Sequence, residues 1–303
     1  MENLQQRLEY GAKILVDGAT GTELEKRGVP MDDAAWCATA LATHPDVVRD
    51  VHEDYIRAGA EVIITNTFPA AKHVLEEVGI GDRFSEMNAL AVELAIEARD
   101  NAAEGPVYVA GSISTFPARL NHAYNPGEQE ARANYQEQAE VLAEAGVDLL
   151  ALEMMRDLEQ TEYALEAAAS VGLPVWLGFS CKRTADGTVV LWDGHDTLAD
   201  ALDDLPLRNV SLVSIMHTQT EDTIPALREV RARWNGLISA YPHYGKFIMP
   251  HWQFIDMISP EDFASEARQW LEAGAQVIGG CCGTGPEHIR ELNRLVAPTP
   301  PLQ

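Results

Sequence analysis

The chain has little positive charge: 22 Lys and Arg stand against 47 Asp and Glu in 303 residues, a formal net charge of -25. That balance opposes binding to nucleic acid or to an anionic lipid surface, since both would repel it. The acid surplus reads first as a solvated surface suited to a salty habitat, and second as compatible with a cationic substrate. Cysteine is scarce as well. Cys37 and Cys181 are isolated and Cys281 and Cys282 are adjacent, which is no disulfide framework and fits a reducing compartment. No N-terminal apolar run reads as a signal peptide and none reads as a membrane span, so the expectation is a cytoplasmic protein with no membrane partner. A dinucleotide fingerprint is also missing, because Gly18-Ala19-Thr20-Gly21 lacks the required glycine spacing.

Apolar runs at 14–16, 62–68, 107–112, 148–153, 174–180, 210–215, 237–241 and 276–278 read as strands. Between them, 44–57, 84–101, 128–145, 158–171, 197–205, 221–234 and 260–273 carry helical spacing, and Thr284 with Pro286 and Glu287 opens a last helix. Strands that are continuously apolar rather than alternating belong to a parallel sheet covered on both faces. The expected fold is therefore an α/β protein, a single-domain (β/α)8 TIM-type barrel over 1–296, with a Pro-rich flexible tail at 297–303. An open doubly wound sheet is the rival. The stretch 242–259, with Gly245 and Pro250, reads as an irregular loop over the barrel mouth.

In such a barrel the chemistry sits where the strands end. Those ends collect Asp17, Asn66, Thr67, Ser112, Glu153, Ser180, Cys181, His217, Tyr241, Cys281 and Cys282. Carboxylates, a histidine and paired thiols that end apolar strands must be hydrated, paired or bound to a ligand. Adjacent cysteines on one strand point opposite ways, yet both reach one metal ion if the backbone leaves the strand there, as Gly279 and Gly280 allow. Zinc takes three or four nitrogen or sulfur ligands, and His217 at the end of the sixth strand is placed to be the third, with His243 and His251 as fallback candidates.

The motifs resemble the zinc-dependent homocysteine S-methyltransferases over almost the whole chain. They run from Leu15-Val16-Asp17-Gly18-Ala19-Thr20-Gly21-Thr22-Glu23-Leu24 through Trp36 and Asn66-Thr67-Phe68 to Gly279-Gly280-Cys281-Cys282-Gly283, the last being the most specific. The resemblance implies an eight-stranded barrel that holds Zn2+ through cysteines and methylates a thiol, most simply homocysteine, giving methionine. It further implies that Asp17 and Glu153 hold the amino acid substrate and that Trp36 faces an onium methyl donor; Asn66 and Thr67 join them as substrate-binding candidates.

Two departures stand out. Met216-His217 replaces the family's usual Asn-Cys, and Tyr241-Pro242-His243 replaces Tyr-Pro-Asn. With His217, Cys281 and Cys282 as metal ligands, a bound substrate thiolate would leave the centre one negative charge short of an all-cysteine site. The reading is a methyltransferase that moves a methyl group from a sulfonium or quaternary ammonium donor to a metal-activated thiol, with no catalytic residue beyond the metal site. Tyr244 and Trp252 join Trp36 as aromatics suited to a donor cation. A related metal-dependent barrel acting on another methylated osmolyte or thiol, and a non-catalytic ligand-binding homologue, are the rivals. The partners implied are a small-molecule thiol and a methyl donor, and a homo-oligomer stays open.

Overall fold

The structure, a computed structural model, describes residues 3–117, 126–248, 251–255 and 257–296. The Pro-rich segment expected at 297–303 lies outside the described residues. Eight parallel strands form one sheet: β1 Ile14–Leu15, β2 Val62–Ile64, β3 Tyr108–Ser114, β4 Leu149–Met155, β5 Val175–Phe179, β6 Val210–Gln219, β7 Leu237–His243 and β8 Val277–Ile278. β1 pairs with β8 on one side, and the parallel bridge Val16 to Val62 joins it to β2 on the other, which closes the barrel.

The strand residues explain the closure. Every residue of β3, β4 and β5 is buried, as strands with a packed face on both sides must be. Ile14, Val16, Val62, Tyr108, Ala110, Leu149, Ala151, Trp176, Leu212 and Val277 fill the interior, and Leu8 of the first helix packs among them. A second layer, with Tyr55, Leu75, Phe84, Phe263 and Trp270, lies between strands and helices. Helices Pro45–Ala58 and Glu128–Ala145 each stop at a glycine with positive φ, Gly59 and Gly146, the left-handed cap that lets the chain turn directly into the next strand.

Two connections differ from expectation. The stretch 242–259 is not wholly irregular: β7 runs on to His243, and Lys246–Ile248 pairs antiparallel with His251–Gln253. Phe247 and Trp252 are cross-strand partners there, and burial of Trp252 against the barrel mouth orders what Gly245 and Pro250 made look like a loop. The chain after β5 forms a second hairpin, Cys181–Arg183 with Val189–Leu191. Among the described residues, no helix is long and apolar enough to cross a membrane.

Candidate functional site

The rim above the carboxyl ends of the strands encloses a cavity of about 330 Å³. Among the described residues, three non-glycines have positive φ, namely Trp36 (+47°), Met154 (+52°) and His217 (+41°), and all three line this cavity. Such conformations cost about 1–3 kcal/mol each, and they persist only where the surroundings over-determine them. Two lie at register breaks: β4 slips against β5 between Leu152 and Met155, and β6 slips against β7 between Met216 and Gln219. The break in β4 lets the consecutive residues Glu153 and Met154 both line the cavity, which a regular strand forbids. Hydrogen bonds hold the strained backbone: Thr115 Oγ1 donates to the Met154 carbonyl, Ser180 Oγ donates to the His217 carbonyl at 2.7 Å, and Trp36 exchanges two backbone bonds with Asp32.

His217, Cys281 and Cys282 come together. His217 Nδ1 lies 3.5 Å from Cys281 Sγ and 3.8 Å from Cys282 Sγ, and the two sulfurs are 4.0 Å apart. Tetrahedral zinc with ordinary bond lengths requires separations of about 3.6 Å between nitrogen and sulfur and about 3.8 Å between sulfurs. The donor set therefore fits a tetrahedral ion without rearrangement. The backbone leaves β8 as expected. At Gly279 a Cβ would sit 2.7 Å from the Val16 carbonyl oxygen, and at Gly283, with φ of +84°, 2.3 Å from that of Tyr244. Thr284 Oγ1 then donates to the Cys281 carbonyl at 2.6 Å, closing the turn. Contact with Cys282 and with His217 lowers the Cys281 thiol from its usual range, while the same contact with Cys281 raises Cys282.

Two carboxyls face the same space. Asp17 Oδ2 accepts the Ile64 N–H at 2.9 Å, while its Oδ1 is buried with no partner. Glu153 accepts Ser112 Oγ at 2.5 Å. Burial raises both acids, Asp17 well above the carboxylate range and Glu153 to about 8. Both also feel the charge of Cys281, which puts carboxyls and thiols within electrostatic reach of each other.

Trp36 belongs to an aromatic wall. Its ring lies 6.4 Å from Phe68, 6.4 Å from Phe116 and 5.7 Å from Phe247, and its buried Nε1 has no partner. Asn66 lines the cavity, although its amide is engaged with Cys37 through Sγ and the carbonyl oxygen, each at 3.2 Å. Thr67 is not brought to the cavity lining; its hydroxyl donates to the Ser112 carbonyl at 2.7 Å and ties β2 to β3. His243 packs behind His217, outside the three-atom cluster, and His251 is an exposed partner of Glu25. Of the other aromatics, Trp252 lines the cavity and Tyr244 does not. Sequence reasoning missed Met154, Arg156 and Trp192, which also line it. Met154 and Arg156 follow Glu153 beyond the strand's expected end, and only the register break turns them inward. Trp192 directly follows a hairpin whose local signal is the Asp186-Gly187 turn, with Gly187 at φ of +92°.

A barrel of this kind, with a cavity and a candidate metal-donor cluster at the carboxyl ends of its strands, has the layout of a barrel enzyme, and known proteins narrow the class. The fold is similar to that of the metallated homocysteine methyltransferase MmuM of Escherichia coli, with a TM-score of 0.80 and 29% identity over 96% of this chain and 99% of that one. Homocysteine S-methyltransferase 2 of Zea mays is 30% identical over 97% of this chain and 92% of its own, and the selenocysteine methyltransferase of Astragalus bisulcatus is 30% identical over 95% and 94%. The family model of the homocysteine S-methyltransferases matches residues 14–296. The chain belongs to the homocysteine S-methyltransferase family, and it is a methyltransferase.

Proposed function

We propose that this chain carries a methyl group from a sulfonium or quaternary ammonium donor to the sulfur of homocysteine, with zinc held by His217 Nδ1, Cys281 Sγ and Cys282 Sγ. The observation that carries the reading is the separation of these three atoms, 3.5, 3.8 and 4.0 Å, in residues that all line one cavity. Zinc bound there supplies a Lewis acid that lowers the acceptor thiol's pKa and presents its sulfur as a thiolate.

The protein's own groups do the rest. Asp17 and Glu153 receive the ammonium of the amino acid; its charge favours their ionised forms and gives Asp17 Oδ1 the donor it lacks. Trp36 and its neighbouring rings face the donor cation, each contact contributing roughly 0.5–2 kcal/mol. Asn66 holds the Cys37 end of the Trp36 segment in place, and Thr67 supports it from behind β2. Arg156, the one cation among the described lining residues, suits a substrate carboxylate. Enclosure of both substrates in one cavity makes the displacement effectively intramolecular and excludes competing water. The barrel domain that does this spans 1–296.

Metal analysis and a donor screen test the reading together. Cys281→Ala and Cys282→Ala should each lose bound zinc and lose homocysteine methylation in parallel, because two remaining donors hold the ion poorly. Either variant keeping full zinc and full turnover overturns the proposal, as does stoichiometric zinc in a protein that methylates other thiols and never homocysteine.

A further inference from the structure

We infer that His243 is the positioning residue for His217, so that the two imidazoles act as one unit in presenting the metal's nitrogen donor; this rests on the proposed role of His217 as a ligand. His217 sits inside the register break of β6 with φ of +41°, a conformation that a side chain of this size keeps only when something holds it. His243 packs directly against it. The two ring centroids are 4.4 Å apart, with the ring planes at 52°. Trp192 and Trp252 close the remaining sides, 5.9 and 6.5 Å from His217 and 6.3 and 5.8 Å from His243. Within this box the Nδ1 edge of His217 is the edge turned to both sulfurs.

The burial of His243 is otherwise hard to account for. It is 3% exposed and its Nδ1 has no partner, a cost that an apolar residue would avoid if filling space were the whole task. The identity of the two residues adds a second argument. His217 and His243 both stand where this chain leaves the Asn-Cys and Tyr-Pro-Asn patterns it otherwise resembles, Met216 being the third such position, and their rings pack against each other. A cysteine ligand reaches a metal on one rotatable bond and needs little lateral support. An imidazole is longer and planar, and its lone pair points at the ion only when the ring plane is fixed, so the two changes read as one.

The test measures zinc affinity by chelator competition, and the visible spectrum of the cobalt(II)-substituted protein, in wild type, His243→Asn, His243→Phe, His217→Cys and the His217→Cys/His243→Asn double variant. His243→Asn should weaken zinc at least ~10-fold and alter the cobalt spectrum, while the same change made on His217→Cys should cost less than ~2-fold. His243→Phe, which keeps the ring packing, should recover most of the affinity. Equal losses in both backgrounds, or no loss in either, overturn the inference. If His243→Asn fails to fold, His243→Leu replaces it: weaker zinc in the Leu variant than in the Phe variant upholds the inference, and equal affinities overturn it. The zinc assignment fails separately, since undiminished zinc affinity in His217→Ala would remove His217 as a ligand whatever His243 does.

Discussion

Asp17 and Glu153 are costly residues for the fold to keep at the cavity. Each carboxyl is buried at a strand end with fewer partners than an ionised group needs, and each titrates above its ordinary range as a result. For Glu153 the sign is definite: the folded value of about 8 lies above the unfolded 4.5. The folded protein therefore holds a proton that the unfolded chain has released, and this residue's contribution falls as pH rises from about 4.5 to 8. Glu153→Gln should accordingly raise the melting temperature of ligand-free protein at pH 8 relative to wild type. It should also raise KM for homocysteine by roughly 10-fold or more and leave zinc content unchanged, because one charge-assisted contact to the ammonium is lost. A KM that stays put while stability falls would assign Glu153 to the fold and not to the substrate. Both carboxyls could be named from the sequence, because a charge that ends an apolar strand is conspicuous. Thr67 misled for a related reason: a hydroxyl beside the rim looks available until β3 places a carbonyl against it.

Among the elements, the connection after β1 does more than its length suggests. Helix Thr20–Lys26 starts within five residues of β1, and its second residue, Gly21, supports the ring of Trp36 so closely that a Cβ would meet the indole at 2.4 Å. Gly21→Ala should push the indole out of the aromatic wall. KM for the onium donor should rise several-fold while zinc affinity, which the proposed ligands on β6 and after β8 would set, stays as it is; measuring both on one preparation checks this. Helix and strand order was legible because runs of buried aliphatic residues and 3.6-residue spacing are local properties. The pairing of 246–248 with 251–253 was not, since it is ordered by Phe247 and Trp252 packing on the rim, whereas the hairpin at 181–191 does carry a local signal, the Asp186-Gly187 turn with Gly187 at φ of +92°. The breaks in β4 and β6 were equally hidden: positive φ at Met154 and His217 goes against residue preference and is held by hydrogen bonds from neighbouring strands.

At the scale of the whole molecule, acid stability should depend on a residue far from any chemistry. His52, on helix Pro45–Ala58, is fully buried with neither ring nitrogen partnered, and burial lowers it from 6.5 to about 4. Its neutral form is the one the fold accepts. The contribution is complete above pH 6.5 and is lost as pH falls toward 4, a total of about 3 kcal/mol. His52→Leu should remove that limb: in urea unfolding, roughly 2 kcal/mol of the wild-type loss between pH 8 and pH 5 should disappear. A net charge of -25 adds a second acid dependence that no single substitution removes, because protonating surface carboxylates relieves self-repulsion while breaking ion pairs. Comparison of the two proteins at each pH isolates His52, since both carry the same surface.

The sequence by itself determined the barrel and the family, and it named the three side chains, His217, Cys281 and Cys282, whose donor atoms the structure brings together. Eight buried strand runs admit few architectures, and paired cysteines after a strand-glycine-glycine turn have few uses. Only the tertiary structure decided that Nδ1 of His217 faces the sulfurs, that the His243 ring packs against His217 outside that cluster, and that Trp192 and Phe247 reach the cavity. The division has a physical cause. Burial and periodicity are written residue by residue along the chain, whereas ring orientation, register breaks and hairpin packing are set by contacts between segments tens to hundreds of residues apart, which no local pattern encodes.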